Sequence, residues 1–137
     1  MKQFTLGKNE RLKSRKLIEQ LFSSGLRFGL FPYRVFYLFE KNEAGDTKNK
    51  LQCGVGVSTR NFKKAVDRNR IKRLTREAWR LQKTELDTLM KDRSNRFSVF
   101  LIYTGKELPA FVVVKEKMAL ILQKLISIAN ENSAANT

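Results

Sequence analysis

The chain has 137 residues, of which 42% are hydrophobic, and its 28 Lys and Arg against 13 Asp and Glu give a formal net charge of +15. The length fits a single domain, and the hydrophobic fraction excludes a disordered chain. The excess of cations predicts a polyanionic partner, with nucleic acid ahead of an anionic membrane surface.

The residue types that are rare or missing exclude several classes of protein. Histidine is absent, so the commonest general base and the commonest zinc ligand are missing. Cys53 is the only cysteine, which excludes an internal disulfide and favours a reducing compartment; we expect it to be a small buried hydrophobe. No stretch is apolar over the ~20 residues of a membrane span, and residues 1–20 lack the apolar run of a signal peptide. We therefore expect a cytoplasmic protein without a membrane partner.

The first part of the chain predicts an arm followed by a short helix. Residues 1–13 are polar and basic, which is typical of an extended arm. Ser14 is a predicted N-cap, because a serine hydroxyl accepts a hydrogen bond from the backbone at a helix start. Apolar residues then recur at helical spacing until Gly25, a predicted helix stop.

Two strands follow in the prediction. Residues 33–39 are rich in aromatic and β-branched residues, and residues 51–58 alternate between apolar and small or polar side chains. The polar residues 41–50 between them predict a long loop of the hairpin type. Gly54 and Gly56 share one face of the second strand, where they either allow close approach of a nucleic acid or make room for a packed helix.

The second half of the chain predicts a long helix at 65–91, a buried strand at 97–103 and a closing helix at 115–129. The order of elements predicts an α+β fold in which a single-layer, mostly antiparallel sheet packs against helices. The second and third strands would form a βαβ unit with parallel strands, whose crossover the general rule makes right-handed.

We expect one domain over residues 1–137. Its ordered core is predicted at 8–128, with a mobile arm at 1–7 and a mobile tail at 129–137.

The helix predicted at 65–91 has one apolar side and one cationic side. Between Arg60 and Arg80 the chain has nine Lys or Arg and two acids. Apolar residues recur at the spacing of one helix face at Ile71, Leu74, Ala78 and Leu81. The opposite face collects Asn69, Lys72, Arg73, Arg76, Arg80 and Lys83. Charged faces are often only solvated, but acids are too few here for ion pairs to explain this one, which favours contact with phosphates.

The start of this helix adds to the predicted attraction for phosphate. Arg68, Asn69 and Arg70 lie near its amino terminus, where free backbone N–H groups favour anions. We expect Asp67 to be a helix-start residue favoured by the helix dipole rather than a catalytic acid. Trp79 lies at the edge of the apolar side and is expected to anchor the core.

Two segments resemble the protein subunit of bacterial ribonuclease P. Residues 54–80, GVGVSTRNFKKAVDRNRIKRLTREAWR, match its glycine-containing strand, short loop and basic helix. Residues 11–25, RLKSRKLIEQLFSSG, are similar to its first helix. The resemblance implies a small RNA-binding subunit that assembles with a large catalytic RNA, in an enzyme that removes the 5′ leader from precursor tRNA.

The same resemblance implies how the chemistry is divided. The RNA and its Mg²⁺ ions would carry the hydrolysis, while the protein would bind no cofactor of its own and need no protein partner. It also implies a left-handed βαβ crossover, against the general rule.

Two sets of residues are predicted to contact RNA. The set for the catalytic RNA comprises Arg60, Lys64, Arg68, Asn69, Arg70, Lys72, Arg73, Arg76 and Arg80. By resemblance, the single-stranded leader would lie in a cleft between the first helix and the sheet, bordered by Arg11, Lys13, Ile18, Phe22, Val35 and Tyr37. Phe22 and Val35, taken alone, also fit an ordinary core.

The chain departs from the family pattern at two places. The family often has an aromatic residue where this chain has Ile18, so stacking on a leader base would be lost there. It often has paired lysines where this chain has Thr59 and Arg60, so one positive charge is retained and one is not.

The sequence shows no constellation for protein-based catalysis. It has no Ser-His-Asp set, metal-ligand cluster or phosphate-binding glycine loop, so no catalytic residue and no metal ligand is predicted. The main alternative is a ribosomal or ribosome-assembly protein, which fits the composition equally well and would co-purify with ribosomal RNA. A membrane-surface protein would need an exposed apolar helix face, and a reader of double-stranded DNA a helix-turn-helix pair.

Overall fold

The computed structural model describes residues 11–12, 15–41, 51–91 and 95–135. The elements in chain order are α1 (Arg15–Ser24), β1 (Leu26–Leu30), β2 (Tyr33–Lys41), β3 (Leu51–Val57), α2 (Ala65–Gln82), α3 (Thr84–Lys91), β4 (Asn95–Tyr103) and α4 (Phe111–Ala135). The predicted N-cap Ser14 and the arm before Arg11 lie outside the described residues. Gly25 follows the last residue of α1 and donates its N–H to Leu21 O at 3.0 Å, so the predicted helix stop is confirmed.

The strands form one sheet in the order β1-β2-β4-β3. β2 pairs antiparallel with β1 and β4, and β3 pairs parallel with β4. The predicted α+β fold, with a mostly antiparallel sheet and one parallel βαβ unit, is confirmed; the hand of the crossover stays a prediction. The hairpin predicted between β2 and β3 is wrong, because β4 lies between these two strands.

β1 is absent from the predicted elements. Its sequence, LRFGL, combines an exposed leucine with a glycine and gives only a weak strand signal. Pairing with β2 stabilises this strand despite its weak local signal, and Phe28 lies opposite Val35 in the register. The hairpin turn between the two strands is Phe31-Pro32, whose peptide bond is cis.

The single helix predicted at 65–91 is wrong, because the structure divides it at Lys83. The N–H of Lys83 donates to Trp79 O at 2.9 Å and ends α2. α3 then buries its own apolar residues, Leu86 and Met90. The break is hard to see in the sequence, since polar and apolar residues keep a helical spacing through it.

α4 is longer at both ends than the predicted helix at 115–129. It begins at Phe111, directly before three valines, and β-branched residues favour helices only weakly. Burial of Val114 in the core outweighs this weak propensity. The segment from residue 129, predicted to be a tail, continues the helix as far as Ala135.

The sheet has a core face and an opposite face. The core face carries Tyr33, Val35, Tyr37, Phe39, Leu51, Cys53, Phe97, Val99, Leu101 and Tyr103. α2, α3 and α4 contribute to this core, with Trp79 and Met118 among its largest fully buried side chains. The predictions that Trp79 and Cys53 are core residues are therefore confirmed.

A buried hydrogen bond sets the rotation of α2 on the sheet. The Thr75 hydroxyl donates to Ile71 O at 2.8 Å, which leaves the Tyr33 hydroxyl to donate to Thr75 Oγ1 at 2.7 Å. Burial raises the pKa of Tyr33 to about 12, so this group stays a neutral donor. The buried side of α2 therefore includes Thr75, whereas Leu81, predicted to lie on the apolar side, is 39% exposed.

Candidate nucleic-acid interface

The basic helix face is the outer side of α2, and we define it as Asn69, Arg70, Lys72, Arg73, Arg76 and Arg80. Asn69, Arg70 and Arg73 are exposed, while the other three are half-buried. The opposite side of the helix is held by buried Ile71, Ala78 and Trp79. The predicted division of this helix is therefore confirmed except for Leu81, which is exposed, and Lys83, which follows the end of α2. The cations of α2 line one side of a helix anchored to the core.

Arg68 has a different role from its exposed neighbour Arg70. Its guanidinium is half-buried, and Nη1 donates to Phe62 O at 2.9 Å and to Lys63 O at 2.8 Å. These two bonds tie the start of α2 to the preceding turn. Arg68 thus belongs to the cationic region as predicted, but part of its hydrogen-bonding capacity is already used within the protein.

The turn before α2 extends the basic helix face. Arg60 and Lys64, both predicted to bind RNA, are exposed on it, as is Lys63. Lys64 is the N-cap of α2, without a side-chain capping bond, and Asp67 lies in the first turn as expected from the helix dipole. The free N–H groups of this helix start and the cations around them attract the same kind of ligand, an anion.

Acidic neighbours reduce the positive charge at the far end of α2. Arg80 pairs with Glu77, and this bond holds the pKa of the Glu77 carboxyl below its ordinary value. Lys83 pairs with Asp87, with Nζ and Oδ2 3.0 Å apart. The strongest uncompensated cations of the helix are therefore nearer its start, around Arg70 and Arg73.

Arg11 brings a further cation to α2. Residues 11 and 12 run along the outer edge of β3, where Leu12 N donates to Cys53 O at 3.0 Å. Burial, followed by the charge of Arg11, lowers the pKa of the Arg76 guanidinium. Arg11 Nε is buried and finds no hydrogen-bond partner among the residues that the structure describes. Arg11 therefore lies next to the basic helix face, although it is predicted to border the leader cleft.

The aromatic cleft lies on the opposite face of the sheet, and we define it as Phe22, Phe36 and Phe100. Phe22 of α1 is 45% exposed and meets both other rings edge to face, at centroid distances of 5.0 Å to Phe36 and 5.3 Å to Phe100. Exposed Arg34 lies two residues before Phe36 on the same face. Ile18, one helical turn before Phe22, is half-buried.

The structure does not bring together all the residues predicted for the leader cleft. Val35 is fully buried and Tyr37 half-buried, and both lie on the core face, on the other side of the sheet from Phe22. Lys13 lies outside the described residues. The aromatic partners of Phe22 are Phe36 and Phe100, neither of which is among the residues predicted for the leader cleft.

The alternation of side chains along a strand predicts part of this arrangement of aromatic residues. Phe36 is out of phase with Val35 and Tyr37, so the three cannot share one face of β2. The continuous apolar run of β4 likewise indicates burial on both faces of the sheet. Phe100 is out of phase with the buried Val99 and Leu101, so it lies on the opposite face from them. The face that receives α1 depends on packing, which alternation alone does not reveal.

Gly54 and Gly56 make room for the ring of Phe100. The predicted alternative, that they make room for a packed helix, is wrong. A Cβ atom at Gly54 would lie 2.6 Å from Phe100 Cδ2, and one at Gly56 would lie 3.1 Å from Phe100 Cε1. These glycines therefore set the floor of the aromatic cleft.

Gly54→Ala is expected to destabilise the protein relative to Gly56→Ala by on the order of 1 kcal/mol. Both variants lose the same backbone freedom in the unfolded chain, so their difference reports the closer contacts at Gly54, with the Phe100 ring and with Leu12 O at 3.2 Å. The expected loss of stability is at the low end for overpacking, because the half-buried ring of Phe100 can move outward. Urea denaturation followed by circular dichroism measures this difference; equal stabilities would show that Phe100 yields freely at both positions.

The described residues hold no group of three or more His, Cys, Asp or Glu side chains placed to bind a metal ion. None of the helices in the described part of the chain is both long and apolar enough to cross a membrane.

Known proteins resemble this chain in sequence over most of its length. Residues 6–126 match the family profile of ribonuclease P. The ribonuclease P protein component of Porphyromonas gingivalis is 36% identical over 115 residues, which are 84% of this chain and 82% of that protein. The component from Chlorobium phaeobacteroides is 30% identical over 128 residues and 88% of each chain.

The fold has a matching counterpart among solved structures. The RNase P protein of Staphylococcus aureus superposes with a TM-score of 0.63, covering 85% of this chain and 94% of that chain. At 18% identity this likeness shows only a shared fold. The sequence matches, and not this likeness, show the family. The resemblance seen in the sequence is confirmed: the chain belongs to the ribonuclease P protein family.

Proposed function

We propose that this chain is the protein component of the ribonuclease P ribonucleoprotein, which removes the 5′ leader from precursor tRNA. In this proposal the basic helix face binds the catalytic RNA and the aromatic cleft binds the single-stranded leader. The observation that carries it is the presence, in a member of this family, of an exposed aromatic side chain over an aromatic floor, apart from a cationic helix face.

The basic helix face suits a folded RNA because its cations are fixed on a rigid element. Ile71, Ala78 and Trp79 hold α2 on the core, so the guanidinium groups of Arg70 and Arg73 keep their spacing. Arginine forms two parallel hydrogen bonds with a phosphate, and each phosphate contact releases counterions from the RNA. The turn held by Arg68 extends this surface.

The aromatic cleft suits a single strand because unpaired bases offer flat faces for stacking. Phe22 is the exposed ring, while Phe36 and Phe100 hold it from below and limit its rotation. A base stacked on an aromatic side chain contributes ~1–3 kcal/mol irrespective of its identity. Such tolerance fits leaders of varied sequence, and exposed Arg34 lies on the same face to meet their phosphates.

The catalytic step is assigned to the RNA partner, and the Mg²⁺ that the reaction needs is assigned to that RNA. The protein's own residues bind and orient the substrate, without a proton transfer by the protein. Cys53 is buried and free, and burial raises the pKa of its thiol, which makes it a poor nucleophile. A free thiol fits the reducing cytoplasm, where we place the ribonucleoprotein.

A cleavage assay with a bacterial ribonuclease P RNA tests the proposed function. At low Mg²⁺, where the RNA alone is slow, adding the protein should accelerate removal of the leader, because the protein's cations offset repulsion between the RNA and its substrate. Protein carrying Arg70→Ala should accelerate the reaction less. No acceleration at any protein concentration, together with co-purification of ribosomal RNA, would instead favour the ribosome-assembly alternative.

A further inference from the structure

Three loops meet at the end of the sheet where β2 begins and where β3 and β4 end. They are the turn at 31–32, the segment at 104–110 and the turn at 58–64. The first two lie outside both the basic helix face and the aromatic cleft, whereas the third is the turn that extends the basic helix face. The last one leads directly into α2, so this end of the sheet adjoins the start of the basic helix face.

Hydrogen bonds tie the three loops into one surface. Thr104 bonds Pro32 O twice, from its N–H at 2.7 Å and from its hydroxyl at 3.0 Å. Asn61 Nδ2 donates to the carbonyl oxygens of Thr104 and Gly105, each at 3.3 Å. Arg68 then holds the turn that contains Asn61. The surface therefore has a defined shape that continues to the start of α2.

An open groove of about 580 Å³ lies in this surface, between the 31–32 turn and the start of α4. Its wall includes three apolar side chains that are unusually exposed: Phe31 at 75%, Leu108 at 44% and Val113 at 40%. Tyr103 forms part of the lining, and its hydroxyl donates to Glu107 O at 2.7 Å. Large apolar side chains gathered at a groove mark a binding site more often than scattered ones do.

The charges around the groove indicate what it binds. Lys106 and Lys117 line it, and the adjoining turn presents Lys63 and Lys64. Glu107 is the one acid among the lining residues. A flat apolar wall with cations at its rim matches a nucleotide, whose base is apolar on its faces and whose phosphate is anionic. An apolar protein segment gains little from these cations, and a second copy with the same charge of +15 would be repelled.

We propose that this groove, which we call the Phe31 groove, binds an unpaired nucleobase of an RNA partner. The base stacks on Phe31 between Leu108 and Val113, and Lys106 and Lys117 hold the adjacent phosphates. The proposal rests on the proposed function, because it requires an RNA partner, and it adds a third contact apart from the basic helix face and the aromatic cleft. The base belongs to the catalytic RNA, because the groove adjoins the start of the basic helix face, to which the proposed function assigns that RNA.

Equilibrium binding of the full chain to a bacterial ribonuclease P RNA, and of the assembled holoenzyme to precursor tRNA, tests the Phe31 groove. Phe31→Ala should weaken binding to the catalytic RNA by about 5- to 150-fold, the loss of one stacking contact, and should leave the affinity of the holoenzyme for precursor tRNA unchanged. The salt dependence should be unchanged, since a stacked base releases no counterion. Phe31→Trp should restore binding, whereas Lys106→Ala should make the salt dependence shallower by roughly 0.7–0.9 on a log–log plot.

Leu26→Ala is the matched control, since Leu26 is 62% exposed at the other end of the same hairpin. It should bind both RNAs as the parent does. The high exposure of Phe31 predicts that Phe31→Ala melts near the parent temperature, which circular dichroism checks. A photoreactive benzophenone side chain at position 31 should crosslink to one nucleotide of the catalytic RNA. A crosslink to precursor tRNA instead would contradict this assignment of the base.

Parent affinity of Phe31→Ala for the catalytic RNA, with no crosslink from position 31 to that RNA, would overturn the proposal. So would a loss of self-association by Phe31→Ala in sedimentation without any change in RNA binding, because the groove would then join two copies of the chain. Arg70→Ala, measured in parallel, separates this failure from failure of the proposed function. If it also binds the catalytic RNA with parent affinity, the RNA-binding role itself is wrong.

Discussion

Phe22→Ala is expected to lower the affinity of the assembled holoenzyme for precursor tRNA by ~1–3 kcal/mol, the contribution of one base stacked on an aromatic ring. Phe22 is 45% exposed, so part of its ring is available to a base. Affinity for mature tRNA should hardly change, because mature tRNA has no leader to occupy the aromatic cleft. Equilibrium binding of the two tRNAs to holoenzyme assembled with parent or variant protein measures the difference.

Leader length provides an internal control for this result. The loss caused by Phe22→Ala should shrink as the leader is shortened to one or two nucleotides, since so short a leader cannot reach along the cleft. A folded variant that loses precursor and mature tRNA equally, whatever the leader length, would show that Phe22 is structural and that the leader lies elsewhere.

The folding of the Phe22→Ala variant needs its own measurement. Phe22 contacts Phe36 and Phe100, so truncation removes two edge-to-face contacts as well as the exposed ring. The two contacts are worth about 0.5–1.5 kcal/mol each, which a stable domain tolerates. Phe22→Leu serves as a matched variant, because it keeps apolar packing in the cleft but removes the aromatic face. If stacking matters, Phe22→Leu should bind precursor tRNA nearly as poorly as Phe22→Ala.

Arg70→Ala and Arg68→Ala are expected to fail in different ways, although both change an arginine at the start of α2. Arg70 is exposed, so its loss should weaken binding to the catalytic RNA by about 1.5–3 kcal/mol, the value of a hydrogen bond to a charged group. The salt dependence should become shallower by roughly 0.7–0.9. The unfolding free energy should stay near that of the parent. Titration of the RNA at several salt concentrations, with urea denaturation of the free protein, provides both readouts.

Arg68→Ala should reduce stability as well as RNA affinity. Its guanidinium bonds the carbonyl oxygens of Phe62 and Lys63, and losing both bonds should cost on the order of 1 kcal/mol of unfolding free energy. The turn that carries Arg60 and Lys64 would then lose its position, which weakens RNA binding indirectly. Equal stabilities of Arg68→Ala and Arg70→Ala would show that the two carbonyl bonds contribute nothing to the fold.

Arg73→Ala extends the comparison along the same helix face. Arg73 is exposed one turn after Asn69, and it should behave like Arg70 if the RNA follows the helix. Arg80→Ala should have a smaller effect on RNA binding, because Arg80 is paired with Glu77. Identical affinities and salt slopes for the parent and for Arg70→Ala and Arg73→Ala would exclude the basic helix face as an RNA-binding surface.

Features that depend on neighbours in the chain were open to prediction from the sequence. The amphipathic division of α2 follows from residues three and four positions apart, so Ile71, Ala78 and the cations opposite them could be assigned to their sides. The central position of β4 follows from its continuous apolar run, and the stop after α1 follows from Gly25. The resemblance to the family could also be seen in the sequence, because each of the two segments that show it, residues 54–80 and 11–25, is contiguous.

Features that depend on residues far apart in the chain came only from the tertiary structure. Alternation separates Phe36 from Val35 and Tyr37, but only packing shows that α1 covers the face of Phe36. The same holds for Arg68, whose bonds to a preceding turn require the turn's three-dimensional path. Strand β1 forms because β2 pairs with it, despite its weak local signal.

The Phe31 groove is the clearest case of a feature that no local pattern contains. Its wall combines a hairpin turn with the segment that joins β4 to α4, and Asn61 connects that segment to the start of the basic helix. In the sequence these residues lie in three separate stretches, each of which looks like an ordinary loop. The sequence by itself thus determined the helix with a cationic face, its charge and the family. Only the tertiary structure decided which aromatic rings meet and where the Phe31 groove lies, because contacts between distant residues arise from packing and not from periodicity.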